Sequence, residues 1–213
     1  KPIPTLSIEE GRPVLLVDNK PTLLFAGELH NSSASSLEYM EREIWPHLRG
    51  LHLNAVIAPV CWEDLEPRPG TFDFTLVDGL LSQARREGVR LVLLWFGLWK
   101  NGMSTYIPAW MKENRQHYFL MRDRSGRAVE AVSPLCGEAV ARDAAAFAAL
   151  LAHLRKVDEE RTVVMVQVEN EMGLLGDVRD FSPQADEAYA QPVPPVVAEL
   201  YGVSGTWQEA FGD

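Results

Sequence analysis

Residues Val163 to Gly173 read VVMVQVENEMG. From Val163 to Val168 every residue except Gln167 is apolar, and most are β-branched, as in a short strand covered on both faces. Strand alternation puts Val164, Val166 and Val168 on one face, toward covering helices, and Met165, Gln167, Glu169 and Glu171 on the other. Three polar side chains in succession on an interior face are costly without partners. The end of this strand is therefore the first candidate site. A carboxyl in a partly buried mouth has a raised pKa and can act as a general acid near neutrality. The plainer alternative is a strand end emerging into solvent, which accounts for Glu171 more easily than for Gln167 and Glu169. Alternation also turns Asn170 away from Glu171, so both can face one ligand only if the strand bulges or breaks at its end.

Two further segments, Ala55–Val60 and Arg90–Phe96, have the same apolar character, and helical patterns separate them. Leu76 to Glu87 reads as a helix stopped by Gly88. Val140, Ala144, Phe147, Leu151 and Leu154 form a helical stripe. Upstream, Ser35-x-x-Glu38 is a capping-box pattern ahead of Leu37, Met40, Ile44, Leu48 and Leu51, and Pro46 inside that run predicts a kink or restart. Arg12–Val17 and Pro21–Ala26 flank Asp18-Asn19-Lys20 and read as a hairpin leading into a first core strand. Strands separated by helices imply βαβ units and a parallel sheet. A doubly wound nucleotide binder shows a Gly-rich turn after an early strand, and none occurs. The strand-to-helix loops are instead long and rich in Trp, Pro and acid, above all Gly97 to Cys136, which suits a barrel. About four βα units are present, whereas a whole barrel takes about 250 residues. The expected fold class is therefore α/β: the N-terminal half of a (β/α)8 TIM barrel with an N-terminal β-hairpin. Residues 1–213 would form the N-terminal part of the catalytic barrel, with the remainder outside them. Thr206–Asp213 shows no stop signal.

The chain has 213 residues with 20 Lys+Arg and 30 Asp+Glu, a formal charge of −10. A net acidic chain without a basic run argues against a nucleic-acid or anionic-membrane partner, and no apolar run is long enough to span a bilayer. Cys61 and Cys136 are too few for a disulfide framework and leave one bridge or two free thiols open. Metal-binding spacings such as H-E-x-x-H and C-x-x-C are absent and the His are scattered, so neither metal nor cofactor is expected. Gly202-Val203-Ser204-Gly205 only half matches a nucleophile elbow. Cys61 has no base assignable to it.

Three more clusters sit at predicted strand ends. Phe25 to Asn31, FAGELHN, puts Glu28 and His30 on one face, with substrate binding and a structural role equally open. Val60 to Pro67, VCWEDLEP, offers Trp62 as a flat face for a sugar ring or as packing for the loop base. Trp95 to Gly102, WFGLWKNG, mixes aromatics with Lys and Asn, which suits a ligand polar at its edges and apolar on its faces. Trp99, Lys100 and Asn101 are the site candidates there, while core packing explains Trp95 as well.

With these motifs in order, the chain resembles the β-galactosidase families of the retaining (β/α)8 glycoside hydrolase clan, families 35 and 42 above all. QVENEMG looks like the QVENEYG of family 35. Trp62-Glu63-Asp64-Leu65-Glu66-Pro67 with Gly70 and Phe72-Asp73-Phe74 looks like the W-x-x-L-E-P…G-x-F-D-F of family 42. Gly27-Glu28-Leu29-His30 looks like the G-E-x-H of family 35. The resemblance implies Glu171 as general acid/base, Asn170 on the sugar 2-hydroxyl, and a retaining double displacement with carboxyls about 5–5.5 Å apart. It places the nucleophile on the seventh barrel strand, beyond these residues. It also implies a carbohydrate substrate, a galactoside or plant-type oligosaccharide, and leaves a homo-oligomer open. An extracytoplasmic location is expected, because polysaccharide debris is met there. The chain departs from family 35 at Pro59, where that family has Tyr, and at Trp99-Lys100-Asn101-Gly102, where it has Cys-Ala-Glu. The competing readings are a non-catalytic carbohydrate binder on the same scaffold and a clan relative cleaving an arabinoside, mannoside or glucan.

Overall fold

The computed structural model describes residues 1–174 and 176–212. It opens with an antiparallel sheet of β1 (Thr5–Glu9), β2 (Arg12–Val17) and β3 (Lys20–Pro21). The turn between β2 and β3 is Asp18-Asn19, with φ of 52° and 61°. Two consecutive left-handed residues match the twist of a tight hairpin, and Asp and Asn tolerate that conformation. The expected pairing of Arg12–Val17 with Pro21–Ala26 is only partly right. β2 pairs along its length with β1, and only Lys20–Pro21 returns against it. The Asn54 side chain draws the following segment elsewhere: its Oδ1 accepts from Phe25 N at 2.7 Å and its Nδ2 donates to Leu23 O at 2.8 Å.

The chain then enters β4 (Ala26–Glu28), the first strand of a parallel sheet in the order β4-β5-β6-β9, with β5 at Ala55–Cys61, β6 at Arg90–Phe96 and β9 at Val163–Val168. Between β4 and β5 lie α1 (Leu37–Tyr39), a π-helical turn (Met40–Ile44) and α2 (Trp45–Leu48). The cap is Ser36, whose side chain accepts from Tyr39 N, not Ser35. The π turn and the restart at Trp45 occur where Pro46 removes a backbone donor. α3 (Trp62–Leu65) and α4 (Thr75–Glu87) link β5 to β6, and Gly88 ends α4 in the left-handed conformation at φ 71°. The excursion from Gly97 to Cys136 holds α5 (Ala109–Lys112) and a hairpin of β7 (Leu120–Arg122) and β8 (Ala128–Val132). α6 (Gly137–Val157) returns to β9. There Asp158 accepts from Thr162 N, Val163 N and Arg85 Nη2 at 2.7–2.9 Å, tying the ends of α6 and α4 to the start of the strand. α7 (Pro183–Tyr189), α8 (Pro195–Tyr201) and α9 (Trp207–Phe211) follow. The stretch read as lacking a stop is helical over α9, with a Thr206/Glu209 capping box and Gly212 at its end.

Helices from three successive crossovers pack on one face of the parallel sheet. Met40 and Trp45, then Val77, Leu80 and Leu81 of α4, then Ala146, Leu150 and Leu154 of α6 join Val56, Ala58, Leu91, Leu93 and Trp95 in one core. Sequential strand order with the helices of these three crossovers on one side is consistent with part of a barrel wall and differs from a doubly wound sheet, which has helices on both. On the other face, Val17 and Leu15 of β2 pack against Ile57, Val92 and Val164. Val164 was expected on the helix side. A bulge between its neighbours pairs Leu91 with Val163 and Val92 with Met165, and the extra residue turns inward. The helical stripe expected for α6 holds at Leu154 and at Phe147, which packs against the core, and is off by one position at Val140 and Leu151. Ala139, Ala146, Leu150 and Leu154 are buried, whereas Val140 and Leu151 are exposed. The small alanines let the helix approach the sheet closely. Among the described residues no helix is long and apolar enough to cross a membrane.

Candidate active site

β9 ends at Val168, and the backbone then breaks. Glu169 has φ 61° and Glu171 φ 38°, left-handed values that are strained for residues bearing a Cβ. The break turns Asn170 and Glu171 toward the same neighbour, the exit of β6. Asn170 Nδ2 donates to Lys100 O at 3.2 Å, while its Oδ1 accepts from Gln167 Nε2 at 2.9 Å. Glu171 Oε2 accepts from Lys100 Nζ at 3.2 Å and from Asn101 Nδ2 at 3.0 Å. The Asn101 amide is itself fixed, because its Oδ1 accepts from Met103 N, Ser104 N and Ser104 Oγ. Lys100 Nζ lies 5.4 Å from the centroid of the Phe96 ring, a cation–π contact that steadies a side chain only 7% exposed.

Trp99 joins the two exits a second way. Its backbone N–H donates to Glu169 Oε2 at 2.8 Å and its indole N–H to Glu171 O at 2.9 Å. The ring is 4% exposed, against Met121 and Ala131. It therefore offers no open face for a sugar, contrary to the sequence expectation, and acts as a buried strut.

The electrostatics also reverse an expectation. The Asn101 amide and then the Lys100 ammonium hold the Glu171 carboxyl below its ordinary range. With its side chain 62% exposed, it stands ionised at the surface of this chain. Glu169, two residues earlier, is the acid that burial affects. Burial first, and then hydrogen bonding to the Asp143 carboxyl, push Glu169 up to about 9. Asp143 comes from α6 and accepts from the Trp95 indole at 2.8 Å. Gly97 makes this meeting possible: a Cβ there would lie 2.2 Å from both Asp143 Oδ1 and Trp95 Nε1.

Neither Glu169 nor Asp143 was among the predicted site residues, although Glu169 was read onto the interior face. The signal for Asp143 was its place between Ala139 and Ala146 on the buried stripe of α6, which the shifted reading concealed. Trp62 is 0% exposed and is no sugar platform; its indole donates to Glu66 Oε2 at 2.7 Å and its ring meets Trp110 edge-on at 6.2 Å. The loop behind it closes with Gly70 N donating to Glu66 Oε1. Glu28 and His30 are exposed at the β4 edge of the sheet, with Glu28 in register with Ile57 on the face opposite the helices. In the order β4-β5-β6-β9 they stand on the edge strand opposite β9. Cys61 and Cys136 are free and buried, and burial pushes the Cys61 thiol up, against a nucleophilic role. Among the described residues no cluster of His, Cys, Asp and Glu could hold a metal ion.

The sequence profile of glycoside hydrolase family 42, described as β-galactosidase, matches residues 36–212. No curated protein matches the chain. Among solved structures, it is similar to the exo-β-1,4-mannosidase Op5Man5 from Opitutaceae bacterium strain TAV5, with a TM-score of 0.52 and 19% identity over 82% of this chain. It is similar also to a β-galactosidase from the psychrophilic Marinomonas ef1, with a TM-score of 0.54 and 18% identity over 83% of this chain. It spans 28% and 25% of the lengths of those two proteins. The likeness to solved structures is one of fold, and the family match covers most of the chain: it belongs to glycoside hydrolase family 42.

Proposed function

We propose that this chain supplies the acid/base side of a retaining glycosidase acting on a terminal β-galactoside or a related glycoside. Its four parallel strands are the first four of a (β/α)8 barrel. Glu171 protonates the leaving oxygen while a second carboxylate, from a strand outside these residues, attacks the anomeric carbon. Glu171 then takes a proton from the water that hydrolyses the glycosyl-enzyme. Asn170 binds the sugar 2-hydroxyl. The observation that carries the reading is the break after Val168, which presents Asn170 and Glu171 together against Lys100 and Asn101.

The ionised state of Glu171 fits one half of this cycle directly and the other with help. A carboxylate about 5–5.5 Å away and the exclusion of water raise the pKa of its partner, which lets Glu171 hold a proton in the free enzyme. When the nucleophile becomes an ester, that negative charge disappears. Lys100 and Asn101 then favour the carboxylate, the form needed to activate water. The test is Glu171→Gln in the full-length protein. Turnover falls by about 10²–10⁴-fold on substrates with poor leaving groups and much less on dinitrophenyl glycosides. Equal loss on both classes contradicts the acid role.

The exposure of Glu171 favours one second reading, a carbohydrate binder without turnover. Sugar binding by a full-length protein that hydrolyses nothing in a panel of nitrophenyl galactosides, mannosides, arabinosides and glucosides would decide for it. Activity on another sugar in that panel would instead reassign the substrate.

A further inference from the structure

The Glu169 and Asp143 carboxyls come to the same short stretch of the β6 exit. Glu169 Oε2 accepts from Trp99 N, and Asp143 Oδ1 lies against Gly97 and accepts from Trp95 Nε1. The presence of Asp143 helps to raise the Glu169 pKa. An ionised carboxylate only accepts, so a pair of this kind holds one proton between its members. The donors that reach the two carboxyls are neutral: the Trp99 and Leu98 backbone N–H groups on Glu169 and the Trp95 indole N–H on Asp143. The cation of that loop, Lys100, is engaged with Glu171. The pair joins three elements: α6 through Asp143, the exit of β6 through Trp99, and the strained exit of β9 through Glu169 itself. We propose that Glu169 and Asp143 form a one-proton clamp that holds the left-handed break after Val168 and so positions Asn170 and Glu171. Glu169 is a positioning residue, not a catalytic one. This inference rests on the acid/base reading of Glu171.

Geometry supports the assignment. Strain at a non-glycine residue persists where its surroundings over-determine it, and Glu169 is held at its carboxyl from two elements at once. Gly97 leaves no room for a side chain beside Asp143, so the helix is brought as close to the β6 exit as the backbone allows. The burial that raises the Glu169 pKa keeps the shared proton in place through neutrality.

The test compares variants in the full-length enzyme. Glu169→Gln keeps a carbonyl to accept from Trp99 and an amide to donate to Asp143, so it retains kcat within about threefold. Glu169→Ala lowers kcat at least 100-fold on poor leaving groups, under tenfold on dinitrophenyl glycosides, and leaves KM within about threefold. Glu169→Asp keeps an acid but cannot span both partners, so it shows the same selective loss and decides the matter if the Ala variant does not fold. The clamp is overturned if Glu169→Gln is as impaired as Glu169→Ala, if Glu169→Asp behaves as wild type, or if the loss is uniform across leaving groups. Glu171→Gln is measured alongside. A selective loss there with wild-type behaviour in Glu169→Ala sinks the clamp alone; full activity of Glu171→Gln on poor leaving groups sinks the acid/base reading.

Discussion

The exit of β5 and the paired exits of β6 and β9 are built from the same kinds of residue and do different work. Each has a Trp whose indole N–H finds an oxygen, and each has acids close by. At the β5 exit the Trp62 indole stays local: Trp62 donates to Glu66 four residues on and Glu66 also accepts from Gly70, while the loop after β6 braces the turn from outside, with Trp110 Nε1 donating to Glu66 O and Lys112 Nζ to Glu63 Oε2. At the β6 exit Trp99 spends both of its donors on the next strand over, about 70 residues away. A polar network that closes locally stiffens a loop. One that crosses between strand ends fixes where an exposed carboxylate stands.

That contrast breaks most visibly in stability. Trp62→Ala empties a fully buried site and should cost about 3–5 kcal/mol in urea or thermal unfolding. If the full-length variant unfolds as the wild type does, the β5 exit is not the packed base described. Gly97→Ala drives a methyl into the Asp143–Trp95 bond and should cost about 1–3 kcal/mol by overpacking. It should also lower kcat on poor leaving groups, since it displaces the clamp; unchanged stability and rate would show that α6 can step back. Trp99→Phe keeps an aromatic ring and the backbone donor but removes the indole bond to Glu171 O. The expected cost is about 1 kcal/mol, with a selective loss of kcat that Trp62→Phe does not share. The smallest effect is on pH dependence. Asn101→Ala removes the leading cause of the depressed Glu171 pKa, so the alkaline limb of kcat/KM, which reports the general acid, should move to higher pH. A limb that stays in place would detach Asn101 from Glu171.

The two acids also differ in sign. The folded pKa of Glu169 is raised, so its contribution to stability is fully present below the ordinary value near 4.5 and is lost as pH climbs toward about 9. Glu171 is depressed, so its contribution is present above its ordinary pKa and lost as pH falls; exposure keeps it small. Glu169→Gln should therefore flatten the decline of stability on the alkaline side.

Much of this was legible in sequence. Arg90–Phe96 and Val163–Val168 carry their strand identity in apolar composition interrupted only by Arg90 and Gln167, and Gly88 announces the end of α4. The need for a break before Asn170 followed from strand parity alone. What escaped depends on distances between elements. The bulge at Val164 is set by pairing with β6, which no local pattern encodes. The register of α6 turned on a choice between Val140 and Ala139, and hydrophobicity favoured the larger residue while close packing required the smaller. That one-position error hid Asp143. Trp62 and Trp99 read as ligand platforms because composition cannot distinguish an aromatic that faces a sugar from one that faces a neighbouring loop.

The central claim is that Glu169, two residues before Glu171, keeps its proton at neutral pH. Infrared difference spectroscopy of the full-length protein at neutral pH, comparing Glu169→Gln and Glu171→Gln with wild type, tests it most directly. The structure predicts a protonated-carboxyl carbonyl band that disappears in Glu169→Gln and survives in Glu171→Gln. A set of protonated-carboxyl bands unchanged in Glu169→Gln would contradict it.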